Sequence, residues 1–185
     1  MKHPSSREFF DYWDGKRGDA RAPERSDFEP NAVRELLGDI FVLSCDTSAG
    51  YPFRVAGTRL SALFGRDLKD TSFPGLFTAA SRREIEEIVA TVADEMLPAI
   101  AGLTAIDQRG TPSPLELLLL PFNNRAHAPI SLTGLLAPFD SNGSVLGELN
   151  LTSFRYIHPP AESLLPRALR KLKIARGFMV YEGLR

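Results

Sequence analysis

Cysteine is almost missing from this chain of 185 residues: Cys45 stands alone, which excludes an internal disulfide and a cysteine-built zinc site and suits a reducing compartment. Histidine is nearly as scarce. His3, His127 and His158 sit at the N-terminal end, in a loop and before Pro159-Pro160, with no ligand spacing between them, so no metal site is expected and all three read as surface residues. Charge of one sign is lacking too: the net charge of −1 gives no bulk attraction to nucleic acid or to a membrane surface. The longest apolar run, Leu117 to Leu120, falls far short of the ~20 residues of a membrane-spanning helix. Met1-Lys2-His3-Pro4-Ser5 does not open a secretory signal, and a cytoplasmic protein is expected. Repeats, low-complexity tracts, a G-x-S-x-G elbow and a phosphate-cradling glycine loop are all missing from the pattern.

What remains is the composition of an ordinary globular domain, 43% hydrophobic and 24% charged, long enough to bury roughly two thirds of its unfolded surface. Ser5-Ser6-Arg7-Glu8 reads as a capping box opening a helix that crowds Phe9, Phe10, Tyr12 and Trp13 together. Such aromatic density is too high for water; it packs on the domain's own sheet or forms a dimer or partner surface. Residues 16–25 read as a polar surface loop. Pro30 is placed for the first turn of a second helix, with Val33, Leu36 and Leu37 on one face and Gly38 past its end.

The centre of the chain is the stretch 51–68. Ile40 to Cys45 and Tyr51 to Ala56 read as a hairpin joined by Asp46-Thr47-Ser48-Ala49-Gly50. Gly57 breaks the second strand, and Leu60, Leu63 and Phe64 recur at helical spacing before Gly65. A longer helix follows: Ser81-Arg82-Arg83-Glu84 reads as its capping box, Ile85, Ile88, Val89, Val92, Ala93 and Met96 as its apolar stripe, and Pro98 as its stop. Four extended segments come next, at 99–106, 115–120, 130–137 and 145–156, separated by turn residues as in an antiparallel meander. Residues 164–176 then carry Arg167, Arg170, Lys171, Lys173 and Arg176 and no acid, a basic tail with a short strand expected at 178–181.

No catalytic group stands out. Ser61 has no histidine partner in view, Glu84, Glu86 and Glu87 line the polar face of the long helix, and Cys45 closes an apolar strand without an adjacent base. Asp107 and His127 fall at expected turns, which leaves a small enzyme of isomerase or hydratase type, working from an apolar cavity in a curved α+β sheet, as a rival reading.

Specific wording accompanies this order. Pro23-x-Arg25, Pro30, Leu36-Leu37-Gly38-Asp39-Ile40-Phe41, Tyr51-x-Phe53-Arg54, Ala56-Gly57-Thr58-x-Leu60 and Leu63-Phe64-Gly65-Arg66-Asp67-Leu68 resemble the PAS superfamily, within it a group of single-domain PAS-like proteins of alphaproteobacteria. The resemblance implies an α+β fold, a five-stranded antiparallel sheet with helices on one face, preceded here by an N-terminal helical extension. On that reading residues 1–37 form the extension, 38–157 the domain and 158–185 the basic tail. It implies a non-enzymatic signalling module that binds a small ligand or a protein partner, or else a ligand-free structural adaptor; a homodimer or a regulatory partner is expected. Light-sensing members attach flavin through a cysteine just after the short helices, where 64–77 has none, and haem-binding members often use a histidine on the long helix, where Ser81 to Met96 has none. The cofactor therefore stays unnamed. Phe53, Leu60, Phe64, Val89, Leu117 and Leu119 are the candidates to line a pocket between the long helix and the sheet, or to fill the core there; Phe9, Phe10, Tyr12 and Trp13 are the candidates for the dimer or partner surface.

Overall fold

The computed structural model describes residues 1–123, 131–140, 143–158, 169–175 and 178–183. Six strands form one antiparallel sheet: β1 (Ile40–Ser44), β2 (Phe53–Ala56), β3 (Ala99–Asp107), β4 (Pro112–Pro121), β5 (Ser131–Pro138) and β6 (Leu146–Tyr156), in the order β2-β1-β5-β4-β3-β6. Three α-helices accompany it, α1 (Pro4–Arg17), α2 (Thr58–Leu63) and α3 (Ala79–Glu95). The strands β7 (Leu169–Ala175) and β8 (Phe178–Gly183) pair only with each other.

Alternation along the strands decides which helix packs where. Phe41, Leu43, Phe53, Leu103, Leu117, Leu119, Leu132 and Leu136 belong to one buried cluster, which α3 completes with Ile85, Ile88, Val89 and Val92. Ile40, Ile100, Leu118, Leu120 and Leu135 belong to a second cluster on the other face, completed by Phe9, Trp13, Val33 and Leu36. Helices thus lie on the inner face, and the N-terminal extension closes the outer one. Between them β4 is buried continuously from Leu115 to Pro121, which explains why its sequence runs as unbroken leucine instead of alternating.

The α+β fold with an antiparallel sheet is as expected, and the sheet is one strand larger. The sixth strand also departs from a simple meander, because β6 does not pair with β5. It crosses to the free edge of β3, where Ala99 faces Tyr156 and Leu103 faces Leu151. Two register shifts in that pairing break the expected alternation, so Leu146 and Leu149 are both buried although they are three residues apart.

Both expected capping boxes are displaced. Helix α1 begins at Pro4, with His3 as its cap and the His3 Nδ1 accepting from the Ser5 amide, because proline at the first helical position needs no amide partner. Helix α3 begins at Ala79 after Thr78, and Ser81 turns inward, where its Oγ accepts from the Leu151 amide at 3.0 Å. Tertiary contact with β6 outcompetes the local cap. The helix ends at Met96 in a left-handed conformation (φ 56°), two residues before Pro98. The second helix expected after Pro30 is a 3-10 segment, Pro30–Leu36, which buries Val33 and Leu36 and leaves Leu37 exposed. The loop expected to be polar surface over 16–25 is corrected as well: α1 runs to Arg17, Ala22 and Pro23 are buried, and Asn123 Nδ2 donates to the Ala22 carbonyl.

Candidate functional site

The turn from β2 into α2 rests on two glycines. A Cβ on Gly57 would collide with the carbonyl of Gly38, and the Gly57 amide donates to the Ile40 carbonyl at 2.9 Å. No side chain fits between these two backbones. Arg59, on the first turn of α2, folds back over Gly38 and binds Asp39 with both arms of its guanidinium, Nε to Oδ1 at 2.8 Å and Nη2 to Oδ2 at 2.7 Å. Nη2 also donates to the Glu35 carbonyl. That carboxylate raises the Arg59 pKa above its ordinary value. The junction therefore ties the extension, β1 and α2 together.

Behind it lies an aromatic core. Phe41, Phe53, Phe73 and Phe77 meet ring against ring, with centroids 5.4 to 5.7 Å apart. Gly134 on β5 makes room for this, since a Cβ there would strike the Phe41 ring. Of the six residues read as pocket candidates, Phe53, Leu60, Val89, Leu117 and Leu119 are buried in this cluster and Phe64 is half-buried at its edge. The structure brings them together, packed against one another and the four rings.

Of the two readings of the aromatic helix, packing on the domain's own sheet holds for Phe9 and Trp13, and for these two the partner surface is corrected. Phe9 and Trp13 are at most 1% exposed, packed on the outer face of the sheet, and the Trp13 Nε1–H donates to the Pro121 carbonyl at 2.7 Å. The physical reason is the apolar outer face of β4 and β5, which the chain covers with its own helix. Tyr12 is half-buried; its hydroxyl accepts from the Glu29 amide at 2.7 Å and holds the 3-10 segment in place. Phe10, half-buried like Tyr12, stacks on Trp13 with centroids 5.9 Å apart.

Phe10 and Trp13 line a groove of about 640 Å³ with an apolar floor that includes Met96, Leu97, Pro98 and Ile157. Arg17 and Arg21 stand on its α1 side, and the exposed Asp94 and Glu95 on its α3 side. Arg17 is held by Asp14 at 2.7 Å and lies over the Trp13 ring. The groove was invisible in the sequence because its walls come from residues 10–21, 94–98 and 157–158, which no local pattern connects. A second cavity, about 500 Å³, opens at one end of the sheet between the α2 residues Arg59 and Leu63 and the β3–β4 turn.

The reactive candidates are occupied or muted. Asp107 Oδ1 accepts from the amides of Thr111 and Arg109, both at 2.8 Å, and the Thr111 bond leads in holding its carboxyl below the usual carboxylate value. Burial first, and then the charge of Asp94, pushes the Cys45 thiol up to about 11. Glu116, buried on the outer face, accepts from the amides of Lys2 (2.7 Å) and His3 (2.9 Å). His3 packs edge-on against Phe139; His127 lies outside the described residues. Among the described residues no group of histidine, cysteine and acidic side chains is arranged to hold a metal, and no helix is long and apolar enough to cross a membrane.

A paired β1–β2 hairpin, helices inserted after it, and four further strands of which β5 returns to pair with β1 and β6 extends the β3 edge define an α+β domain with one antiparallel sheet. The family model described as PAS domain matches residues 1–137, and the chain belongs to that family. No curated protein matches the sequence significantly. Among solved structures, similarity is found to the LOV protein of Rhodobacter sphaeroides, at 13% identity and a TM-score of 0.44, covering 56% of this chain and 60% of that one. The LOV domain of the blue-light photoreceptor Aureochrome1 in its light state gives 11% identity and a TM-score of 0.45, over 60% of this chain and 89% of the other. The PAS domain of BvgS from Bordetella pertussis gives 15% and 0.44, over 60% and 87%.

Proposed function

We propose that this PAS-domain protein is a non-enzymatic regulatory module that signals as a homodimer, with the groove between α1 and the end of α3 as its contact. One observation carries the reading: the groove has an apolar floor, with Arg21 beside the Asp14–Arg17 ion pair on one side and the acids Asp94 and Glu95 on the other. A two-fold axis through such a surface sets Arg21 of one copy against Asp94 and Glu95 of its partner, so the patch is complementary to itself. The aromatic packing of Phe41, Phe53, Phe73 and Phe77 supports output through surface contact, because rings occupy the space between sheet and α3. The engaged Asp107 carboxylate and the raised Cys45 thiol support the non-enzymatic part, since neither is poised for proton transfer or nucleophilic attack.

Charge reversal tests this. Sedimentation equilibrium of the wild type is expected to give a dimer, and Arg21→Glu or Glu95→Arg alone to weaken it about tenfold, the factor that 1.4 kcal/mol of repulsion produces. The double variant restores the opposite charges across the axis and should dimerise again. A monomeric wild type, or single variants with undiminished association, overturns the contact. Native mass spectrometry of the same samples separates the alternative: a small molecule retained by a monomer would point to a ligand sensor instead.

A further inference from the structure

A second charged feature lies on the outer face of the sheet, away from the groove. The Arg25 backbone is fixed by its amide, which donates to the Asn123 carbonyl at 3.2 Å, beside the bridge between Glu24 and Asn123. Its guanidinium lies over two rings, 5.6 Å from the Phe28 centroid and 5.3 Å from that of Phe122, and Nη1 donates to the Oγ1 of the buried Thr133. The two rings, which meet edge to face with centroids 5.9 Å apart, and the Thr133 hydroxyl together fix the place of the guanidinium. Of its five N–H donors, the described residues occupy this one.

Arg54 reaches the same face through an irregularity in β2. Val42 pairs with Val55 but Leu43 pairs with Phe53, so Arg54 is the extra residue of a β-bulge. Phe53 is buried in the inner core, and the bulge leaves both Arg54 and Val55 exposed on the side where Val42 lies opposite Thr133. The two arginines sense each other: burial first, then the charge of Arg54, lowers the pKa of Arg25.

Among the described residues, the ion pairs engage Lys16, Arg17, Arg34, Arg59 and Arg83, and none involves Arg25 or Arg54. The connection 124–130 adds no acidic residue by sequence. With no carboxylate paired to either among the described residues, bringing a half-buried guanidinium beside a second cation costs desolvation and repulsion that an anion would offset. We infer that Arg25 and Arg54 form a binding site for a small oxyanion, a phosphate or carboxylate group, with Arg25 as the preset fork and Arg54 as the exposed second arm. The inference is independent of the dimer contact, which uses other residues.

The probes are inorganic phosphate and malonate, each titrated into the full chain with sodium chloride holding ionic strength constant, while the arginine Nε–H signals are followed by NMR. Saturable movement of the Arg25 signal is expected with at least one probe, and the arm that saturates says which oxyanion chemistry the site takes. Arg54→Gln, at an exposed position, should keep the fold and weaken binding about tenfold, the loss of one charge-assisted contact. Arg25→Lys keeps the charge but not the fork and should weaken it similarly. Wild type that saturates with neither probe overturns the site, as does Arg54→Gln that binds like wild type.

Discussion

At the scale of single residues, two kinds of constraint act here: space that only hydrogen can fill and charge that only a shaped partner can satisfy. Gly57 illustrates the first, because the carbonyl of Gly38 occupies the position of its missing Cβ. Gly57→Ala must push two backbones apart and is expected to cost about 3 kcal/mol, at the upper end of typical overpacking, read from the midpoint of a urea transition. Asp107 illustrates the second. Its pKa is lower in the folded chain than in the unfolded one, so its stabilisation is present above about pH 4 and is lost as the pH falls through the folded value. Asp107→Asn should therefore show a smaller drop in thermal midpoint between pH 5 and pH 3 than the wild type. Cys45 gives a third check: with its thiol raised to about 11, it should resist iodoacetamide at pH 8 in the folded protein and react promptly in urea.

At the scale of elements, α1 is the piece for which the structure chooses between two readings of the sequence. Its aromatic crowding, legible as an apolar surface, becomes intramolecular packing once Leu118, Leu120 and Leu135 are seen to need a cover. Trp13→Phe keeps the ring contact but strands the Pro121 carbonyl, and the expected loss is about 1 to 3 kcal/mol in the same urea assay, the cost of leaving a buried acceptor unpaired. Removing residues 1–17 should expose the outer face and produce strong binding of a hydrophobic dye, with aggregation as the sheet loses its cover. By contrast the stripe of α3 from Ile85 to Ala93 reads the same way from either direction, while Met96, read as its last member, ends the helix and packs with the second cluster. The stripe is periodic and local; the N-terminal cap is displaced because the Ser81 hydroxyl turns inward to accept from the Leu151 amide.

For the whole molecule, the prediction concerns mass action. If two copies associate through the groove, folding is coupled to association, and the thermal midpoint should rise with protein concentration. A midpoint unchanged over a hundredfold range of concentration would argue that the folded unit is a monomer. The shared antiparallel sheet, closed by helices on both faces, is what holds the groove in shape, since its two walls belong to α1 on the outer face and α3 on the inner one.

Sequence alone determined the six strands of the main sheet, the apolar face of the long helix, the glycine break at Gly57 and the family wording around it, but not β7, which falls within the stretch read as a basic tail; period, turn chemistry and close backbone approach are written in neighbouring residues. It also carried Asp39, Arg54 and Arg59 inside or beside those motifs without saying what they touch. Only the tertiary structure decided that β6 crosses to the edge of β3, that Phe9 and Trp13 are core, that the phenylalanines meet between sheet and helix, and that Arg25 lies over Phe28 and Phe122. Each of these joins residues tens of positions apart, up to 108 between Trp13 and Pro121, where the winner is set by which apolar face must be covered and which buried polar group must find a partner.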